Sequence, residues 1–190
     1  PGAQLEPAIA AILARTLAKR ACGPYAALRE DDVSERLVRL CVARTGRAVR
    51  ITDVHRLAGG ASKEMFSFTL SDVHHAAPER LVLRLDPLES IIETSRQREA
   101  EAIAAMQGTV PVPTVRLLDQ AGEFLGQSGL VTSFVTGVTR PSAQTDGGVS
   151  GIGTDYGAAA AHIAPQFLDN LVAIHAFDWR GAELSYFDAP

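Results

Sequence analysis

The chain has 190 residues, 46% hydrophobic and 21% charged, which suits one globular domain, or one and a fraction, with a core of its own. Its 18 basic and 22 acidic residues leave a net charge of −4; no basic patch argues for nucleic acid as a partner, and no apolar run is long enough for a membrane span. The N-terminus lacks a basic region followed by an uninterrupted apolar core, and Cys22 and Cys41 sit in separate helical segments without metal-site or disulfide spacing, so a cytoplasmic protein with free thiols is expected.

In chain order, Leu5, Ile9, Ile12, Leu13 and Leu17 recur at helical spacing, and Pro7 suits a first turn, so a helix is predicted over Leu5–Lys19, ended by Gly23 and Pro24. A second helix is expected to begin after Asp32 or at a Ser34 cap, carry Leu37, Leu40 and Cys41 on one face, and stop at Gly46. This leader is expected to pack on the back of the following domain or on a neighbouring chain, which leaves a homodimer through these helices open.

Val49–Leu57 and Met65–Leu70 carry β-formers with partial alternation, joined through Gly59 and Gly60. Such a turn either closes a hairpin or aims bare N–H groups at phosphate oxygens. The polar turn from Asp72 to Arg80 holds His74 and His75, which lack a third ligand and read as exposed side chains. Leu81, Val82, Leu83 and Leu85 form a short buried strand interrupted by Arg84, whose charge needs a partner. A helix over Ile91–Met106 offers Glu99. Paired with it, Arg84 would hold a cation where a nucleotide's phosphates can meet it; the plainer alternative is a surface arginine and an exposed helix acid. Two further strands follow, in VPVPTVRLLD and GQSGLVTSFVTGVT, joined by a hairpin turn near Gly122.

From Pro141 to Thr154 the composition turns to Gly, Ser and Thr, as in a linker. Its GGVSGIG phrase has neither the preceding strand nor the lysine of a phosphate-binding loop. Tyr156–Trp179 reads as helical, with Pro165 opening a second helix at Ala164 or kinking the first. Phe167, Leu168, Leu171, Val172, Ile174 and His175 make its apolar face.

From Ile51 to Trp179 this order of elements resembles the aminoglycoside phosphotransferase or choline-kinase-like family. The matching residues are the GG-x-S turn at Gly59, Gly60, Ala61 and Ser62, the LVLR strand ending at Arg84, the R-E helix at Arg98 and Glu99, the VPVP phrase from Val110 to Pro113, the LVTSFVTG hinge from Leu130 to Gly137, and the LVAIHAFDW helix, in which the resemblance implies a buried, satisfied His175. The resemblance implies an α+β protein-kinase-like N-lobe: an antiparallel five-stranded sheet with a helix between strands 3 and 4. The helical extension (1–47) precedes that lobe (48–136). A hinge or linker loop (137–155) and the first helices of a helical C-lobe (156–190) follow it.

It further implies an enzyme that transfers a phosphoryl group from ATP or GTP, with Mg2+, to a hydroxyl of a small-molecule substrate. Gly59, Gly60, Ala61 and Ser62 would cover the phosphates, Arg84 would bind them and Glu99 would hold Arg84. The Ser133 carbonyl and Val135 N–H would read the base, with Thr132 at the back of the pocket. Arginine stands where many such kinases have lysine; it keeps the charge and offers a planar fork for phosphate. The only lysines are Lys19 and Lys63. The family's H-G-D-x-x-x-x-N catalytic loop is not in this sequence, whose only asparagine is Asn170. No catalytic or metal residue is therefore assigned, the Mg2+ ligands are expected in a part of the C-lobe beyond this sequence, and the chain by itself is expected to bind nucleotide without turnover. The alternatives are a non-catalytic, pseudokinase-like module that binds a nucleotide or a partner, and a structural or oligomerisation module sharing only the fold.

Overall fold

Helix α1 spans Glu30–Thr45, starting before the expected Asp32 or Ser34 boundary. Its N-cap, Arg29, makes no side-chain cap bond. Instead Glu30, Asp31 and Asp32 set negative charge against the exposed N–H groups of the first turn. Val33, Leu37, Leu40 and Cys41 fall on one face at spacings of four, three and one, and all are buried. Gly46 ends the helix in the left-handed region at φ 68°, its N–H bonded to the Val42 carbonyl.

The computed structural model describes residues 28–57, 64–72, 77–86, 95–137, 158–182 and 184, with the backbone alone for 158–160. The predicted helix Leu5–Lys19, Cys22, the turn Gly59–Ser62, Lys63, His74, His75 and the segment Pro141–Thr154 lie outside the described residues. Those described fall into two compact units: residues up to Gln97 with Val115–Ser133, and Arg98–Thr114 with the chain from Phe134 onward.

The first unit holds strands β1 (Val49–Arg56), β2 (Glu64–Asp72), β3 (Glu79–Leu85), β4 (Val115–Asp119) and β5 (Gly129–Ser133). They form one sheet in the order β1-β2-β3-β5-β4, antiparallel throughout. Helix α2 (Arg96–Ala105) lies between β3 and β4 in the chain, as expected. Strands β2 and β3 run past their apolar stretches because their polar ends still pair, Leu70 with Glu79 and Glu64 with Leu85. In β1 the register breaks between Thr52 and His55, where Asp53 takes φ 53° and Thr52 Oγ1 donates to its carboxylate. Aspartate tolerates that conformation better than a β-branched neighbour would.

Strand alternation gives the sheet two faces. Phe66, Phe68, Leu81, Leu83, Leu85 and Val131 are buried in one cluster with Val33, Leu37, Leu40 and Cys41 of α1. The amphipathic stripe of α1 thus meets one face of the sheet; the other predicted helix of the leader lies outside the described residues.

The β4–β5 connection is a built turn. Buried Asp119 accepts from the N–H groups of Glu123, Phe124 and Leu125 at 3.0, 2.9 and 2.9 Å. Gly122 has φ 72°, and a Cβ there would stand 2.7 Å from the Gln127 backbone.

In the second unit, helix α3 (Ala158–Ala176) runs through Pro165 as one helix. The expected second start at Ala164 is absent. A short 3₁₀ turn, Trp179–Gly181, follows, with the Asp178 carboxylate accepting from the Arg180 N–H at 3.2 Å. The apolar face of α3 is present but uncovered among the described residues: Phe167, Leu168, Leu171, Val172 and Ile174 are all exposed. His175 is exposed with them, against the expectation of a buried histidine. Helical periodicity places a residue on a face, whereas burial needs a second layer.

Two measurements check this core. Leu37→Ala should lower the free energy of urea unfolding by about 2–5 kcal/mol, the usual cost of a fully buried leucine. Burial pushes the Cys41 thiol from 9.0 up to about 11. A folded value above the unfolded one means its contribution is complete below pH 9 and is lost as the pH rises through 11. The urea midpoint should therefore fall more steeply across that alkaline window in the unsubstituted chain than in Cys41→Ala, each compared with its own value at neutral pH.

Candidate functional site

Strand β3 sits in the middle of the sheet, so both its faces matter. Leu81, Leu83 and Leu85 point toward α1, and Val82 and Arg84 take the other face. Register carries the second set across the sheet. Arg84 stands opposite Met65 on β2 and Leu130 on β5; Val82 stands opposite Ser67 and Thr132. Directly opposed residues share a face in antiparallel pairs. Ser67, Val82, Arg84, Leu130 and Thr132 therefore make one surface, with Ser67, Leu130 and Thr132 almost fully buried.

This is a strip of small and apolar side chains with one cation. Arg84 is half-buried, and its Nε is buried without a hydrogen bond. Thr132 is 3% exposed on the same strip. Ser133, one residue on, takes the opposite side of β5 and is half-buried. Beyond the strand, Val135 is 67% exposed, and among the described residues no backbone carbonyl accepts from its N–H.

The structure thus brings Arg84 and Thr132 onto one surface. Glu99 lies on α2, half-buried, in the second compact unit, whereas Arg84 is in the first. Gly59, Gly60, Ala61 and Ser62 lie outside the described residues. Val82, Leu130 and Ser67 were missed by the sequence reading. A step of two from Arg84 finds Val82 and a step of two from Thr132 finds Leu130, but Ser67 appears only once the β2–β3 register is known.

The residues flanking the β1–β2 connection form a second missed cluster. Arg56, the last residue of β1, donates to Glu64 Oε1, the first residue of β2, at 2.8 Å. Its guanidinium also donates to the Leu28 carbonyl at 2.8 Å and lies 4.7 Å from the centre of the Phe66 ring. The Arg56 backbone N–H donates to Glu30 of α1 at 2.9 Å, and Gln127 donates to the other Glu64 oxygen at 3.4 Å. The ion pair joins the two ends of the connection, and the Arg56 N–H bond to Glu30 ties them to α1.

Among the described residues, no group of three or more His, Cys, Asp and Glu side chains gathers to hold a metal ion, and no helix is long and apolar enough to cross a membrane. Compared with known proteins, residues 53–190 match the model of the phosphotransferase enzyme family, APH. A crystal structure from Ralstonia eutropha JMP134, of a protein described as a candidate aminoglycoside phosphotransferase, is similar with a TM-score of 0.56 at 20% identity. The alignment covers 82% of this chain and 42% of that one, so the chain spans less than half of its length. At that identity the likeness speaks for the fold alone, an α+β kinase-like N-lobe. No curated protein matches the chain.

Glu64→Ala should cost about 1–2 kcal/mol in urea unfolding. That is less than for a fully buried pair, because Arg56 keeps 39% of its side chain in water.

Proposed function

The chain belongs to the phosphotransferase enzyme family, whose model matches it from residue 53 to residue 190, and from that premise we propose that it forms the nucleotide-binding part of an ATP- or GTP-dependent phosphotransferase acting on a small-molecule hydroxyl. The observation that carries this reading is the surface on which Arg84 lies beside Val82, Leu130 and Thr132. It offers an apolar strip for a flat base and a guanidinium fork for phosphate oxygens. Past Ser133 the chain leaves β5 for the exposed Val135, whose N–H is suited to the edge of a base.

In this reading Arg84 holds the α- and β-phosphates, Glu99 orients Arg84, and the turn Gly59–Ser62 covers the phosphates. The Ser133 carbonyl and the Val135 N–H take the base, and Thr132 closes the back of the pocket. The chemistry of the complete enzyme rests on positioning and on neutralising charge in the transition state. Mg2+ supplies part of that neutralisation when bound, but the described residues of this chain do not fit a metal site.

Titration of the 190-residue chain with ATP and GTP in Mg2+ buffer should give saturable binding. Arg84→Met should weaken it about tenfold or more through the loss of charge-assisted bonds. Absence of binding in the unsubstituted chain would favour a structural or oligomerisation module. With varied hydroxyl acceptors the chain alone should turn over no ATP; rates above a heat-killed control would contradict that.

A further inference from the structure

Strands β2, β3 and β5 stop in one row. β2 begins at Glu64, β3 ends at Leu85 and β5 begins at Gly129, and the register pairs Leu85 with both of the others. Arg84 stands one residue inside that row, on the face away from α1. Strand ends open first, because the last pairs have neighbours on one side alone. The backbone that aims the proposed phosphate-binding guanidinium is therefore the part of β3 that most needs fixing.

Glu64 supplies a fixing point. It is 7% exposed and shares the α1 face with Leu85, its partner in the register. Each carboxylate oxygen has its own partner: Oε1 accepts from Arg56, at the end of β1, at 2.8 Å, and Oε2 from Gln127, two residues before β5, at 3.4 Å. Since β3 lies between β2 and β5, the bond to Gln127 spans the end of β3. Beyond the row the Asp86 N–H still donates to the Ser128 carbonyl at 3.0 Å. Arg56 carries the tie further, through the Leu28 carbonyl and Glu30, to the start of α1. All these residues belong to the first compact unit. Cohesion is a modest part of what they do, because Arg56 keeps 39% of its side chain in water and the pair is screened accordingly. Two oxygens with partners on different strands add a fixed spacing between those strands.

We propose that Glu64 is a positioning residue: with Arg56 and Gln127 it forms a crossbar over the end of β3 that sets the direction in which Arg84 leaves the opposite face. The step from crossbar to phosphate binding rests on the nucleotide-binding reading; the ordering of the strand ends does not. The test uses the 190-residue chain with Glu64→Met, Arg84→Met and the double variant. It has two readouts: amide hydrogen exchange and affinity for ATP in Mg2+ buffer.

In Glu64→Met the Asp86 amide should exchange about tenfold faster, while those of Leu81 and Leu83 stay protected and show the sheet intact. ATP affinity should fall about fivefold, and Glu64→Met should cause no further loss in the Arg84→Met background. Unchanged Asp86 exchange, unchanged ATP affinity, or an affinity loss of equal size in both backgrounds would overturn the proposal. If the unsubstituted chain binds no ATP, the nucleotide reading falls and Asp86 exchange alone decides the crossbar. If Glu64→Met fails to fold, Gln127→Leu, which removes the far end of the crossbar and leaves the ion pair, is put through the same two readouts with the same outcomes expected.

Discussion

The alternation of side chains along β3 is the constraint from which the rest of the first unit follows. Leucines at 81, 83 and 85 commit one face of the sheet to α1, and that commitment forces Val82 and Arg84 to the other. A slip of one residue in the pairing of β3 would bring the arginine into the leucine cluster, where an uncompensated charge is far costlier than a lost methylene. The same alternation that builds the core therefore delivers the cation to the proposed phosphate site. In that proposal folding and binding share one physical cause.

Around that strand, charge is used for direction more than for cohesion. Arg56 and Glu64 fix the two ends of the β1–β2 connection, Asp119 gathers three backbone N–H groups into a turn, and Asp86 meets Arg96 where a strand hands over to a helix. In each case a carboxylate or a guanidinium sits at the end of a regular element, where backbone hydrogen bonds no longer dictate the path. The apolar residues supply most of the driving force. The ions decide where the chain goes next.

Much of this was legible in the sequence, and the limits have physical reasons. The β3 alternation, the leucine stripe of α1 and the glycine that ends it are local periodicities, so they can be read from residues in a row. The start of α1 was misplaced because a cap was sought in a side chain, whereas the first-turn acids do that work. Ser67 could not be placed beside Val82 without the strand register, which is a property of two segments. Arg96 drew no attention in the sequence; it is buried in the structure, where its guanidinium meets the Asp86 carboxylate ten residues earlier. His175 failed in the opposite sense, since its face of α3 is apolar in sequence yet exposed among the described residues.

The irregularity in β1 has a consequence for the protein in a crowded solution. Among the described residues β1 is an outer strand of the sheet, and one side of its backbone has no neighbouring strand to pair with. A straight strand of eight residues so placed would be a template on which another extended chain could grow. The left-handed turn of the backbone at Asp53 interrupts that template in its middle, and exposed Arg50, Asp53 and Arg56 set charges along it. The bulge therefore works as a guard against sheet-to-sheet aggregation, and it does so without drawing on the core.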